Sequence, residues 1–263
     1  MKTKNSLIVA LMFLVKSLFA GVAITNGLTH VYNGVSGNII TGEIILVNTT
    51  DIEQRVTFGM QDAIYSCSKT RIFSESTTHA FSSKSWFNSS TMEKVLKPRE
   101  KYVYRFSIVI PKDQDLRGTY WSVIMVNVEK PVVEGIVKNG VKLNSKIRYA
   151  VGLYTNVNSF DSVDLDFDTI NLNKDENSTK KSLDIKVLNK SLFIQGVKLT
   201  LEIYNDKGVK IHEAMTGRNL TIPGACRDFK IDISKVPKGT YQCVLIADSK
   251  EEFVGTNISL NVE

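Results

Sequence analysis

Apolar and polar residues alternate along most of the chain, which is the signature of strands with one buried face. Residues 40–47 form such a run and end in the turn-forming Asn48, Thr49, Thr50 and Asp51. Residues 55–60 form the next run, residues 102–110 follow and stop at Pro111, and then come 120–128 and 147–154. β-branched and aromatic residues fill these runs, and Gly, Asn, Asp and Pro separate them. That pattern predicts an antiparallel all-β sandwich. Beyond the first 23 residues no segment carries the 3.6-residue period of an amphipathic helix.

The second half repeats the theme. Strands are predicted over 163–167, 182–188, 197–204, 229–233, 241–247 and 256–262. Asn205, Asp206, Lys207 and Gly208 read as a hairpin turn leading into 209–213, with Gly208 free to take positive φ. One local match ties the halves together. Gly118, Thr119 and Tyr120 follow Pro111, and Gly239, Thr240 and Tyr241 follow Pro237, each at the head of a strand. A Tyr there is suited to capping a chain reversal between sheets, as in a tyrosine corner. The expected architecture is two tandem immunoglobulin-like β-sandwich domains, 24–155 and 160–263, joined at 156–159.

The head of the chain differs from this pattern. Lys2 and Lys4 precede nine uninterrupted apolar residues, 7–15, and small residues follow at Ala20, Gly21 and Ala23. This reads as a secretory signal peptide over 1–23, cut after Ala20 or Ala23. A membrane span needs about 20 apolar residues, and Lys16 interrupts this one. The end of the chain, 258–263, has no apolar tail, so no integral membrane anchor is expected in the mature protein. The leader also carries charge. The formal +6 comes from 33 Lys and Arg against 27 Asp and Glu, and loss of Lys2, Lys4 and Lys16 reduces it to +3. So balanced a chain lacks the clustered basic face of a nucleic-acid binder. Export permits a disulfide. Of Cys67, Cys226 and Cys243, the pair expected is Cys226–Cys243, with three buried thiols as the alternative.

The N-terminal domain resembles the first domain of periplasmic pilus chaperones and of WxL-interacting surface proteins. The resemblance runs through Gly42 to Thr49, through Leu96, Lys97, Pro98 and Arg99 before a long strand, and through Ile110 and Pro111. Gly118 to Ser122 and Lys146 to Tyr154 complete it. It implies an exported envelope protein on a chaperone-like frame that binds another surface or fimbrial-type protein. Pilus chaperones hold a subunit's terminal carboxylate with an Arg on the first strand and a Lys on the last strand of this domain. Thr29 and Gly152 stand at those places here, and neither supplies a cation. Lys146 and Arg148 lie close by. Ile147, Tyr149, Val151 and Leu153 share one face of the last strand, which is expected to be core.

Residues 66–91 are the remaining oddity. Thirteen of these 26 residues are Ser or Thr, which makes a long strand-poor connection that also carries Trp86 and Phe87. Trp86, Phe87, Lys146 and Arg148 are therefore the candidate ligand-binding residues; the other reading of Trp86 and Phe87 is the opening of a strand that packs inward. Asp164, Asp166 and Asp168 alternate along one predicted strand and are the candidate Ca²⁺ ligands, although a straight row diverges rather than converges. The other reading is a charged face that discourages edge pairing. His30, His79 and His212 sit in no catalytic motif, and no phosphate loop or cofactor fingerprint occurs. The expectation is a non-enzymatic, cofactor-free protein that engages another envelope protein through strand edges, loops or the interdomain cleft. The alternative is a surface adhesion module that binds peptidoglycan or a host ligand.

Overall fold

A computed structural model describes residues 21–68, 71–129, 146–158, 162–174 and 180–262. Of the leader expected over 1–23, residues 1–20 lie outside them. The chain is all-β and forms two sandwiches, in line with the alternation of the sequence.

In the first sandwich one sheet has the order β1 (Val22–Ile24), β3 (Ile39–Asn48), β8 (Lys101–Val109), β6 (Phe87–Asn88). The other runs β2 (Thr29–Gly34), β10 (Ile147–Val157), β9 (Gly118–Glu129), β4 (Gln54–Ile64), β5 (Ile72–Ser74), with β7 (Glu93–Leu96) also on β4. The chain switches sheets at its start: β1 pairs antiparallel with β3, and β2 then pairs parallel with β10. Residues 156 and 157, expected in the joint, are instead the end of β10. The core between these sheets is built from alternate residues, among them Ile44, Leu46, Phe58, Tyr104, Ile124, Val126, Val151 and Leu153. Phe58 and Tyr104 stack at 3.9 Å between centroids.

The second sandwich sets β11 (Leu165–Lys174), β12 (Lys181–Asn189) and β16 (Cys226–Asp232) against a second sheet. That sheet runs β14 (Lys210–Met215), β13 (Gln195–Tyr204), β17 (Gly239–Ser249), β18 (Glu252–Val262), with β15 (Asn219–Thr221) also on β13. The expected turn at 205–208 closes β13 onto β14: Gly208 has φ +72°, and the Asn205 side chain accepts from the Lys207 and Val209 amides.

Both sandwiches use one buried Asn as a pin. Asn48 Nδ2 donates to the carbonyls of Ile52, Leu96 and Lys97, and its Oδ1 accepts from the Thr50 amide and hydroxyl. Asn189 Nδ2 donates to the carbonyls of Phe193 and Thr221, and its Oδ1 accepts from the Ser191 amide and hydroxyl. Gln54 and Gln195 reach those same hydroxyls. Each pin satisfies backbone groups that a buried turn would otherwise strand.

β9 explains how the sandwiches meet. Its even-numbered apolar residues Ile124, Val126 and Val128 enter the first core. Trp121, Val123 and Met125 form a separate cluster with Ala63 and Tyr154, closed from the second sandwich by Ile194, Ile222 and Ala225. Gly118 makes the close approach possible. The Thr119 amide donates to the Leu192 carbonyl (2.8 Å), and the Ile194 amide donates to Thr119 Oγ1 (2.7 Å).

Candidate functional site

Two features stand out on the surface: an open strand edge and a charged cleft. β10 pairs with β9 along its whole length, but with β2 only from Gly152 onward. Residues 147–151 have no strand beside them on the β2 side among the described residues. The Gly152 amide points to that side, where it donates to Leu28 O at 2.9 Å. Two-residue alternation aims the amides and carbonyls of Arg148 and Ala150 the same way. Ile147 and Tyr149 pack inward as expected from the sequence, and Tyr149 donates its hydroxyl to Val22 O.

Thr29 and Gly152 are directly paired partners of the parallel β2–β10 ladder. Gly152 is also the only residue type that fits here without a shift. A Cβ at this position would stand 2.8 Å from the Tyr154 ring. Tyr154 thus lies over the place where the family anchor is expected, and its hydroxyl meets that of Tyr65 at 2.6 Å. Burial, with Tyr65 alongside, pushes the Tyr154 phenol far above the ordinary tyrosine range.

Beyond this pair a cleft of about 490 Å³ opens between the sandwiches. Tyr65, Ser66, Cys67, Ser68 and Arg71 line it from the first, and Lys186, Cys226, Arg227 and Asp228 from the second. Cys67 and Cys226 are joined by a disulfide in its wall. This corrects the expected Cys226–Cys243 pairing. Cys243 lies on β17 inside the second core, in a different sheet from Cys226, and burial pushes its thiol up to about 11. Cys226 opens β16 at the face that meets the first sandwich. A disulfide fits the oxidising compartment that export implies.

The other sequence candidates fall outside any common site. Trp86 ends a short 3-10 helix (Lys84–Trp86), is buried in the first core and packs 4.6 Å from Tyr120. Phe87 pairs with Ile108, packs on Phe106 and is only partly buried, lining a separate cleft of about 250 Å³ with Phe58, Met60 and Met92. Lys146 and Arg148 are exposed at the open edge, Arg148 donating from Nε to Asn127 Oδ1 at 2.8 Å. Asp166 pairs with Lys190, and a bulge between Phe167 and Thr169 takes Asp168 out of register. No cluster of three His, Cys, Asp or Glu suited to a metal occurs among the described residues.

The Ser/Thr-rich connection is anchored rather than free. Trp121 bonds to Phe81 O and Ser83 N through its backbone and donates Nε1 to Ala63 O at 2.7 Å. Its ring stacks on His79 at 4.4 Å. His79 stands 3.7 Å from the buried Asp62, whose other contact is the Ser82 hydroxyl at 2.6 Å. Burial lowers the His79 pKa, and Asp62 opposes that only in part.

No protein-family model matches the chain, and no curated protein does. Solved structures do. The chain is similar to the YadV chaperone at 9% identity, covering 92% of this chain and all of that one, with a TM-score of 0.46. It is similar to the class 5 fimbriae chaperone CfaA at 10% identity, covering 90% and 98%, with a TM-score of 0.49. The Salmonella enterica complex of SafA pilin with the SafB chaperone matches at 12% identity, covering 93% and 97%, with a TM-score of 0.45. Each of these is a likeness of fold over about nine-tenths of the chain.

Proposed function

We propose that this is a non-enzymatic exported protein that binds a strand of another envelope protein along the open edge of β10. The observation that carries this reading is the run 147–151, unpaired on its β2 side among the described residues, on a strand whose other side is fully laddered to β9. An incoming strand gains main-chain hydrogen bonds there without reorganising the sheet. Specificity then comes from side chains beside the edge, chiefly Arg148 and Lys146. Pilins, the partner in the SafA–SafB complex, are the class to test first, and the periplasm or cell surface is the place. Cleavage after Ala20 keeps Val22 and Ala23, which already pair with β3; cleavage after Ala23 removes them.

Ala150→Pro tests the reading. Pro removes one outward amide and is tolerated on strand edges. A photo-crosslinking residue at position 148 should capture a fimbrial-type subunit in periplasm, and the Pro variant should lose the adduct while keeping its melting temperature within a few degrees. Undiminished capture by a folded Pro variant would refute the edge as the binding element.

A further inference from the structure

We propose that Cys67–Cys226 is an exchange-competent disulfide, opened by an incoming dithiol, and that it serves as a releasable clamp between the two sandwiches. Its position comes first. Cys67 follows β4 and Cys226 opens β16, at a sequence separation of 159. Among the described residues every other tie between the sandwiches is noncovalent, apart from the chain itself where it passes from β10 to β11.

Access comes second. The bridge walls an open cleft of about 490 Å³, and both cysteines are only partly buried. A thiol therefore has room to approach a sulfur without unfolding either core. Cys243 is the contrast within the same chain, enclosed among core side chains with no such opening.

Charge comes third. Arg71, Lys186 and Arg227 line the same cleft, against one carboxylate, Asp228. None of the three cations has a carboxylate within 4 Å among the described residues. Lys186 Nζ donates to Cys67 O at 3.1 Å, which holds an ammonium beside that residue. Cations close to a sulfur favour the thiolate. Here they attract an anionic attacking thiolate and also stabilise the thiolate that leaves.

The reaction balances as ordinary exchange. A thiolate of the dithiol attacks one Sγ, the Cys67–Cys226 bond breaks, and the released sulfur leaves as a thiolate beside the cations. The second thiol of the reductant then displaces the first from the mixed disulfide. The reductant is oxidised by two electrons to its own disulfide, and its two protons end on Cys67 and Cys226. The domains are then held by the Trp121 cluster and the Thr119 contacts alone.

The test uses the full mature chain in its native state, with thiol alkylation and mass measurement reporting reduction. Dithiothreitol should reduce Cys67–Cys226 without denaturant. Mercaptoethanesulfonate, an anion, should open it faster than cationic cysteamine after correction for thiol pKa. High salt should narrow that gap. The triple variant Arg71→Gln, Lys186→Gln, Arg227→Gln should slow dithiothreitol by about three- to tenfold, the effect of raising the leaving thiol by one or two pKa units. In the reduced protein, X-ray scattering should show a wider spread of interdomain distances with both sandwiches folded. Reduction only under denaturing conditions would overturn the proposal, as would equal rates for the two charged thiols. Scattering unchanged on reduction would overturn the clamp.

Discussion

Gly118 and Gly239 head the same Gly-Thr-Tyr motif, and Ala substitution at each separates what the motif does inside a sandwich from what it does between sandwiches. Both glycines have positive φ, +114° and +153°, where an L side chain costs about 1–2 kcal/mol. The surroundings differ. At Gly239 the added Cβ meets the Tyr241 hydroxyl at 3.1 Å, a side-chain end that already donates to Pro237 O within the same sandwich. At Gly118 it meets the backbone carbonyl of Leu192 at 2.7 Å, about 0.7 Å inside ordinary contact. That carbonyl belongs to the other sandwich and is held by the Thr119 amide, so the relief is separation of the domains. Separation on that scale stretches two short hydrogen bonds, Thr119 to Leu192 and Ile194 to Thr119, each worth roughly 0.5–1.5 kcal/mol. Gly118→Ala should therefore cost about 2–5 kcal/mol and Gly239→Ala about 1–2 kcal/mol. Urea unfolding read by tryptophan emission measures both, because Trp121 sits in the interdomain cluster. The Gly118 variant should also show red-shifted native emission. Equal destabilisation by the two substitutions, with native emission unchanged, would refute the reasoning.

Asn189→Ala and Asn48→Ala each strand buried carbonyls, so each should cost about 2–4 kcal/mol, measured by urea unfolding, whereas exposed Asn205→Ala should cost under about 1 kcal/mol. Cys67→Ser with Cys226→Ser releases a 159-residue loop, for which chain entropy gives about 5 kcal/mol of lost stability as an upper estimate, read by calorimetry. His79 has its folded pKa lowered chiefly by burial, so the unfolded chain binds the proton more readily. Its contribution is complete above the unfolded value of 6.5 and is lost as pH falls below it toward the folded value. The melting-temperature gap between wild type and His79→Phe should accordingly shift against wild type between pH 7 and 5; a constant gap would show that His79 is not the titrating group.

Long strands were legible because their alternation is a local property. The two- to six-residue strands β1, β2, β5, β6, β7 and β15 were not, since their pairing comes from neighbours rather than propensity. Two signals were present and passed over. Residues 121–126 are apolar almost without alternation, the mark of a strand buried on both faces, and in β9 the second face is the one that meets the other sandwich. The spacing Asn48, Thr50, Gln54 recurs as Asn189, Ser191, Gln195. It is a stronger internal repeat than Gly-Thr-Tyr, because all three residues form one hydrogen-bonded pin in each sandwich. The Cys67–Cys226 bond was illegible for a physical reason: its partners belong to separate sandwiches, so only the packing of β9 against 192–194 and 222–225 brings them together. Trp86 follows the inward-packing reading, since a polar connection rich in Ser and Thr also folds back and buries its aromatic residue.

The open edge and the disulfide cleft can be perturbed by separate substitutions, although Ala150 and Tyr65 both pack against the Trp121 cluster. Ala150→Pro alters an amide at the edge and changes none of the residues that line the cleft. Lys186→Gln and Arg227→Gln change the cleft and leave the β10 backbone intact. Tyr154 is the physical link, because its ring covers Gly152 at the start of the β2 ladder while its hydroxyl reaches Tyr65 at the cleft. Opening the clamp frees Tyr65 to move with the loop that carries Cys67, and the Tyr154 ring then loses the partner that holds it over Gly152. Tyr65→Phe removes that hydroxyl contact, so it should weaken any effect of reduction on strand binding at 147–151 while leaving each intact.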